Sequence, residues 1–198
     1  MQFMSKIYQY ADRILDKRLN SKPRWFLVLI SFSSFGAVMV PILFKDSFLE
    51  QGGSMMTLFV MLISYLIISF LYGLIFGFGS TFIMKHILRF MNLDIKYSLL
   101  IKLFQISFLP YIIPGFIYLI RITLANYFET EFVQSILPYI AIIYLPIALL
   151  TLIVYAWVFI LLFRGMKRLT ALKLYQNVLI YIGSGLVITP LNILLLYY

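Results

Sequence analysis

The sequence predicts an all-α integral membrane protein, one bundle of five transmembrane helices preceded by a short amphipathic helix. Three observations predict it. Of the 198 residues, 63% are hydrophobic and only 12% charged, against roughly half apolar and a quarter charged in soluble domains. Five long stretches contain no Asp, Glu, Lys or Arg. The Lys and Arg residues crowd into alternate connections between those stretches, as they do in membrane proteins whose cytoplasmic loops are positive.

The first unit is residues 1–24, a basic segment expected in the cytoplasm. Phe3, Ile7, Tyr10 and Ile14 share one helical face, with Lys6, Arg13 and Lys17 largely off it. Two readings suit this pattern. The helix lies on the inner leaflet, where each basic side chain gains about 1 kcal/mol from anionic headgroups, or it packs on the end of the bundle. Pro23 suits the first turn of the span that follows, and Trp25 suits the interface. The apolar run starting at Trp25 is too long for a signal-peptide core and lacks a small-residue cleavage site, so it is expected to stay as an anchor.

The second unit, residues 25–198, holds the spans. A crossing takes about 20 apolar residues. Charge-free stretches run from Trp25 to Phe44, Gln51 to Met84, Leu103 to Ile120, Phe132 to Phe163 and Leu174 to Tyr198. The second and fourth exceed one crossing, so part of each is expected to tilt or to lie in the interface, near Gly52 to Met55 and Gln134 to Pro138. Spans therefore fall near residues 25–44, 56–84, 103–120, 136–163 and 174–196. A six-span alternative would need a tight turn in the middle of a long stretch, and neither has one.

Charge orients the spans. Lys6, Arg13, Lys17, Arg18, Lys22 and Arg24 precede the first; Lys85, Arg89, Lys96 and Lys102 follow the second; Arg164, Lys167, Arg168 and Lys173 follow the fourth. The other two connections hold only Lys45 and Arg121, beside Asp46, Glu50, Glu129 and Glu131. The N-terminus is thus expected inside and the C-terminus outside. The cytoplasmic basic surface would comprise Arg13, Lys17, Arg18, Lys22, Arg24, Lys85, Arg89, Arg164, Lys167, Arg168 and Lys173.

Within the second span Ser69, Gly73 and Gly77 recur every four residues, and Gly79 and Ser80 extend the small surface. Such a strip lets another helix backbone approach closely where lipid supplies no hydrophobic drive. The contact is either within the bundle or with a second copy or partner helix. Later spans carry Pro110, Pro114, Pro138, Pro146 and Pro190, each able to bend its helix, which either shapes packing or lines a path. Tyr111, Tyr118, Tyr139 and Tyr198 suit an interfacial belt. Ser31, Ser33, Ser34, Gln105, Asn177 and Asn192 are expected to bond helix to helix. A faint parallel repeat relates "MKHILRFMNLDIKYSLLIKL" to "MKRLTALKLYQNVLIYI", each leading to a proline.

Several functions lose their chemistry. There is no cysteine, every Asp and Glu lies in a connection or the N-terminal segment, and the sole histidine, His86, sits at a membrane boundary. No HExxH, buried acid pair or phosphate-binding loop occurs. No enzyme activity, metal or cofactor is expected, and coupling to ATP would have to come from a partner chain. The net charge of +9 is spread in small clusters between apolar runs, without a nucleic-acid-binding motif. Anionic lipid headgroups are the expected counterpart.

Three stretches, "KPRWFLVLI", "LDIKYSLLIKLFQISFLPYIIPGFI" and "YAWVFILLFRGMKRLTALKLYQNVLIYI", resemble the Yip family of small polytopic membrane proteins, named for interaction with Ypt/Rab GTPases. The resemblance covers residues 20–198, and departs from the family at Asn92, Leu93 and Asp94, where members tend to carry a Gly-rich turn. It implies five spans, a cytoplasmic N-terminus and no catalytic residues. Eukaryotic members act in vesicle traffic, and bacterial ones look like accessory proteins, sometimes encoded with ABC-type exporters. Abundant Ile, Lys, Phe and Tyr favour a bacterial plasma membrane. The expected function is non-enzymatic, stabilising or regulating another membrane complex such as an ABC-type exporter or peptide-defence system. A small transporter or channel, or a membrane-shaping or trafficking protein, is the alternative.

Overall fold

The computed structural model describes residues 2–22, 24–43, 55–127, 130–172, 176 and 178–181. Helices account for the regular structure: α1 (Gln2–Leu19), α2 (Trp25–Leu43), α3 (Met55–Phe90), α4 (Tyr97–Phe108), a 3-10 turn (Leu109–Tyr111), α5 (Ile112–Tyr127) and α6 (Thr130–Thr170). Three helical runs are long and apolar enough to cross a membrane, Phe59–Phe90, Tyr97–Ile120 and Leu145–Thr170, and Trp25–Val40 is a shorter apolar helix. The chain is a helical bundle of membrane type. Pro23, Lys45, Asp46, Glu50, Gly52, Glu129, Lys173, Asn177 and most of the fifth apolar stretch, with Pro190, Asn192 and Tyr198, lie outside the described residues.

α4 occupies the middle. Every residue from Leu100 to Phe108 except Lys102 is buried, because apolar residues surround this helix instead of lining one stripe. Its neighbours contribute Ala11 and Leu15 from α1, Val28 and Phe32 from α2, Met84 and Leu88 from α3, and Val158, Leu161 and Met166 from α6. These form one continuous core. Aromatic rings fill its centre: Phe35 stacks on Phe108 with centroids 4.6 Å apart, and Phe32 meets Phe78 edge-on at 5.0 Å, both favoured ring geometries.

The helix ends show how local sequence sets the layout. α3 closes with Asn92 in the left-handed region at φ 61°. The Leu93 N–H donates to the Leu88 carbonyl at 2.9 Å and the Asn92 N–H to Arg89 at 3.0 Å, the paired bonds of a Schellman cap. Asn tolerates this backbone better than most residues, which is how Asn92, Leu93 and Asp94 make a tight turn without glycine. α6 ends at Ala171, φ 55°, whose N–H donates to the Lys167 carbonyl at 2.9 Å. The Thr170 hydroxyl accepts from the Leu172 N–H at 3.2 Å.

The helix that carries the third charge-free stretch begins at Tyr97, and Lys102 lies inside the helical run with its ammonium donating to the Leu19 carbonyl at 2.8 Å. One sequence expectation is corrected. The hydroxyls of Ser31, Ser33 and Ser34 do not bond across helices. Each donates back to the carbonyl four residues earlier, at 2.7 Å, the usual way a serine inside a helix is satisfied. The prolines act differently from one another. Pro110 sits in the 3-10 turn that divides α4 from α5, whereas α6 continues unbroken through Pro138 and Pro146.

Candidate functional site: the basic end of the bundle

The end of α3, the start of α4, the end of α6 and all of α1 meet at one end of the bundle. This brings the three basic segments of the sequence together. α1 packs on α4 and α6 through Ala11, Leu15 and Leu19, the residues it buries, spaced every four. The buried stripe is therefore not the Phe3, Ile7, Tyr10 and Ile14 face read from the sequence. Ile7 and Ile14 are only half-buried at its edge, and Tyr10 is 61% exposed, its ring resting on Trp157 at 5.9 Å. Side chains of Met1, Gln2 and Phe3 lie outside the described residues.

Polar contacts fix α1 in register. Asp12 and Asp16 sit one turn apart on α1, and Arg164 and Arg168 one turn apart on α6. Arg164 grips Asp12 with both donors of its fork, Nε to Oδ1 at 3.1 Å and Nη2 to Oδ2. Arg168 pairs with Asp16 and reaches Asp12 at 3.4 Å. The Arg164 guanidinium also lies over the Tyr8 ring, 5.0 Å from its centroid, a cation–π contact. At the other end of α1 the Lys102 ammonium donates to the Leu19 carbonyl, where a helix presents its partial negative charge. Gly165 marks the crossing of the three helices. A Cβ there would run into the Leu103 side chain and stand 3.3 Å from Leu15 Cδ2.

Two residues of the expected basic surface, Arg164 and Arg168, are thus committed to carboxylates, a pairing the sequence reading missed. Its signal was the matched four-residue spacing of the two Asp and two Arg residues. Arg13, Lys17, Arg18, Lys22, Arg24 and Lys167 are exposed. Lys85 and Arg89 lie apart from this ladder. With Phe82, His86 and Tyr97 they line an open groove of about 440 Å³. The His86 ring leans on Phe82 at 4.2 Å, and its Nδ1 is 2.9 Å from the Phe82 carbonyl, which can only accept, so Nδ1 carries the proton. The Tyr97 hydroxyl donates to the Phe78 carbonyl at 3.2 Å.

The small-residue strip faces inward. A Cβ on Gly73 would collide with the Phe32 carbonyl oxygen, and one on Gly77 with the Phe32 ring. Ser69 and Ser80 are buried on the same side, and Ser80 donates to the Gly77 carbonyl at 3.1 Å. The complementary residue on α2 is Gly36, which the sequence reading did not single out. A Cβ there would meet the Ser69 carbonyl oxygen and stand 2.8 Å from the Gly73 nitrogen. The Tyr65 hydroxyl adds a 2.6 Å bond to the Ala37 carbonyl across the same seam. Of the proline positions, Pro114 is buried and Pro146 exposed. Among the described residues no three His, Cys, Asp or Glu side chains come together as a metal site would require. Compared with family models, curated proteins and solved structures, the chain finds no match.

Proposed function

We propose that the chain is a five-span, Yip-like protein of a bacterial plasma membrane with its basic end in the cytoplasm. In this reading it is non-enzymatic and holds or regulates another membrane complex, such as an ABC-type exporter or peptide-defence system. The observation that carries the proposal is the fixed basic end. α1 is tied to α6 by the Asp12 and Asp16 ladder, while Arg13, Lys17, Arg18 and Lys167 point away exposed. A pre-set positive surface favours docking on an acidic partner, since charge complementarity speeds encounter and no ordering cost follows. Pull-down of the chain from its native membrane in mild detergent, followed by mass spectrometry, tests this. A stoichiometric ATPase and permease support the accessory role, and recovery of the chain alone contradicts it.

One observation favours a second reading, a small transporter or channel. The third apolar helix tightens into a 3-10 turn at Leu109–Tyr111, and the buried Ser107 hydroxyl beside the turn has no hydrogen-bond partner among the described residues. Local 3-10 adjustments and polar groups at membrane depth are tolerated where they are buried in protein or line a cavity. Solute flux into vesicles reconstituted with the pure protein would support this reading, and tight vesicles would contradict it. Membrane shaping by α1 draws less support, because the Ala11, Leu15 and Leu19 stripe is spent on α4 and α6 and Asp12 and Asp16 hold the helix there.

A further inference from the structure

The groove between α3 and Tyr97 has features that neither the partner-docking surface nor the helix-packing strip uses. Lys85, His86 and Arg89 occupy the last turns of the apolar run Phe59–Phe90, where a membrane helix leaves hydrocarbon. Among the described residues no carboxylate pairs with Lys85 or Arg89, whereas Arg164 and Arg168 are both paired. Two cations therefore face an open volume of about 440 Å³ without a counter-charge, a size in the range of small-molecule sites.

The same helix changes character along its length. Ile75 and Phe82 are seven residues apart, 64% and 57% exposed, so they share a face, and His86 and Arg89 continue it by one and two turns. Between them Gly79 leaves open space, with nothing within 4 Å of where a Cβ would sit. An apolar track with a notch thus runs directly into a cationic groove. The complementary molecule is negatively charged at one end and hydrocarbon at the other.

We propose that this groove binds the phosphate of an anionic lipid headgroup, with Lys85 and Arg89 as charge-assisted donors and an acyl chain along Ile75, Gly79 and Phe82. Arg89 offers a planar fork matched to phosphate oxygens and Lys85 a point charge. His86 lines the groove beside them, its Nδ1 held by the Phe82 carbonyl. This site is independent of whether the chain serves a partner complex.

The test uses the full chain in nanodiscs of phosphatidylcholine with and without phosphatidylglycerol, counting lipids retained on the protein by native mass spectrometry. The wild type is expected to keep phosphatidylglycerol in preference to phosphatidylcholine. Lys85→Gln with Arg89→Gln should weaken retention about 30-fold, roughly fivefold for each cation near the surface. The charge-preserving pair Lys85→Arg with Arg89→Lys should retain it, which separates loss of charge from loss of fold. Lys6→Gln with Lys17→Gln removes the same charge from α1 and should weaken retention far less, because those exposed side chains line no groove. Equal loss in that control, or full retention in the Lys85→Gln and Arg89→Gln variant, would overturn the site. Titration with inorganic phosphate distinguishes the source. Saturable phosphate binding without preference for phosphatidylglycerol would overturn the lipid assignment in favour of a soluble phosphate.

Discussion

Replacing Gly73 by alanine reverses the usual effect of that substitution. Inside an exposed helix, Gly to Ala stabilises by about 1 kcal/mol through helix propensity. At Gly73 the new methyl would lie 2.6 Å from the Phe32 carbonyl carbon and 3.0 Å from Ser33 Cα, whereas carbon atoms settle at about 3.5–4.0 Å. Relief requires α2 and α3 to part by about 1 Å, and a gap of that size forfeits about a quarter to a half of each dispersion contact along the seam. Overpacking costs about 1–3 kcal/mol, and here the obstructing atoms are backbone and cannot rotate aside. Taking the upper part of that range, about 2–3 kcal/mol, a net loss of about 1–2 kcal/mol follows once propensity is set against it. The matched control is Gly79→Ala on the same helix, where nothing lies within 4 Å and the propensity gain should stand alone. Thermal unfolding of the three proteins in one mild detergent reads the order directly. A Gly73→Ala protein that melts at or above the wild type would refute the close-contact account of the seam.

Four further outcomes are expected. Asp12→Asn should loosen α1 by about 1 kcal/mol, the upper end of what a part-exposed ion pair is worth, and the loss should shrink when Arg164→Gln is already present; hydrogen exchange of α1 amides measures both. Tyr65→Phe, which removes the bond to the Ala37 carbonyl, should cost about 0.6–1.7 kcal/mol, the range of interhelical bonds in membranes, seen as a lower melting temperature. Ala171→Gly should raise stability by about 1 kcal/mol, because a Cβ is strained at its left-handed backbone; an unchanged melting temperature would count against the cap. Lys102→Met should free the end of α1 at Leu19, so limited proteolysis near Asn20 and Ser21 should quicken while the rest of the chain resists.

Much of the helical layout could be read from the sequence because lipid-facing helices announce themselves by composition. The four-residue recurrence of Ser69, Gly73 and Gly77 was visible for the same reason, since only small residues permit backbone approach. Gly36, the other half of that seam, has Phe32 and Val40 four residues to either side and so showed no four-residue period. The docking face of α1 was not legible because the helix carries two apolar stripes, and burial chose Ala11, Leu15 and Leu19 over the one with the larger side chains. Which stripe wins depends on α6, far along the chain, and no local pattern contains that. By charge-free length Lys102 reads as the end of a connection, and a lysine satisfied by a distant carbonyl defeats that criterion.

The Asp12–Arg164 pair joins residues 152 positions apart, and that separation has a meaning in time. At synthesis rates of about 5–20 residues per second, α1 emerges roughly 8–30 s before its partner on α6 exists. During that interval only α4 can cover the Ala11, Leu15 and Leu19 stripe, and the side that faces α6 must rest against lipid or a chaperone. Docking of α1 is therefore completed only late in assembly, and any chain that stops short of Arg164 holds the helix by α4 alone, with Asp12 and Asp16 unpaired by α6.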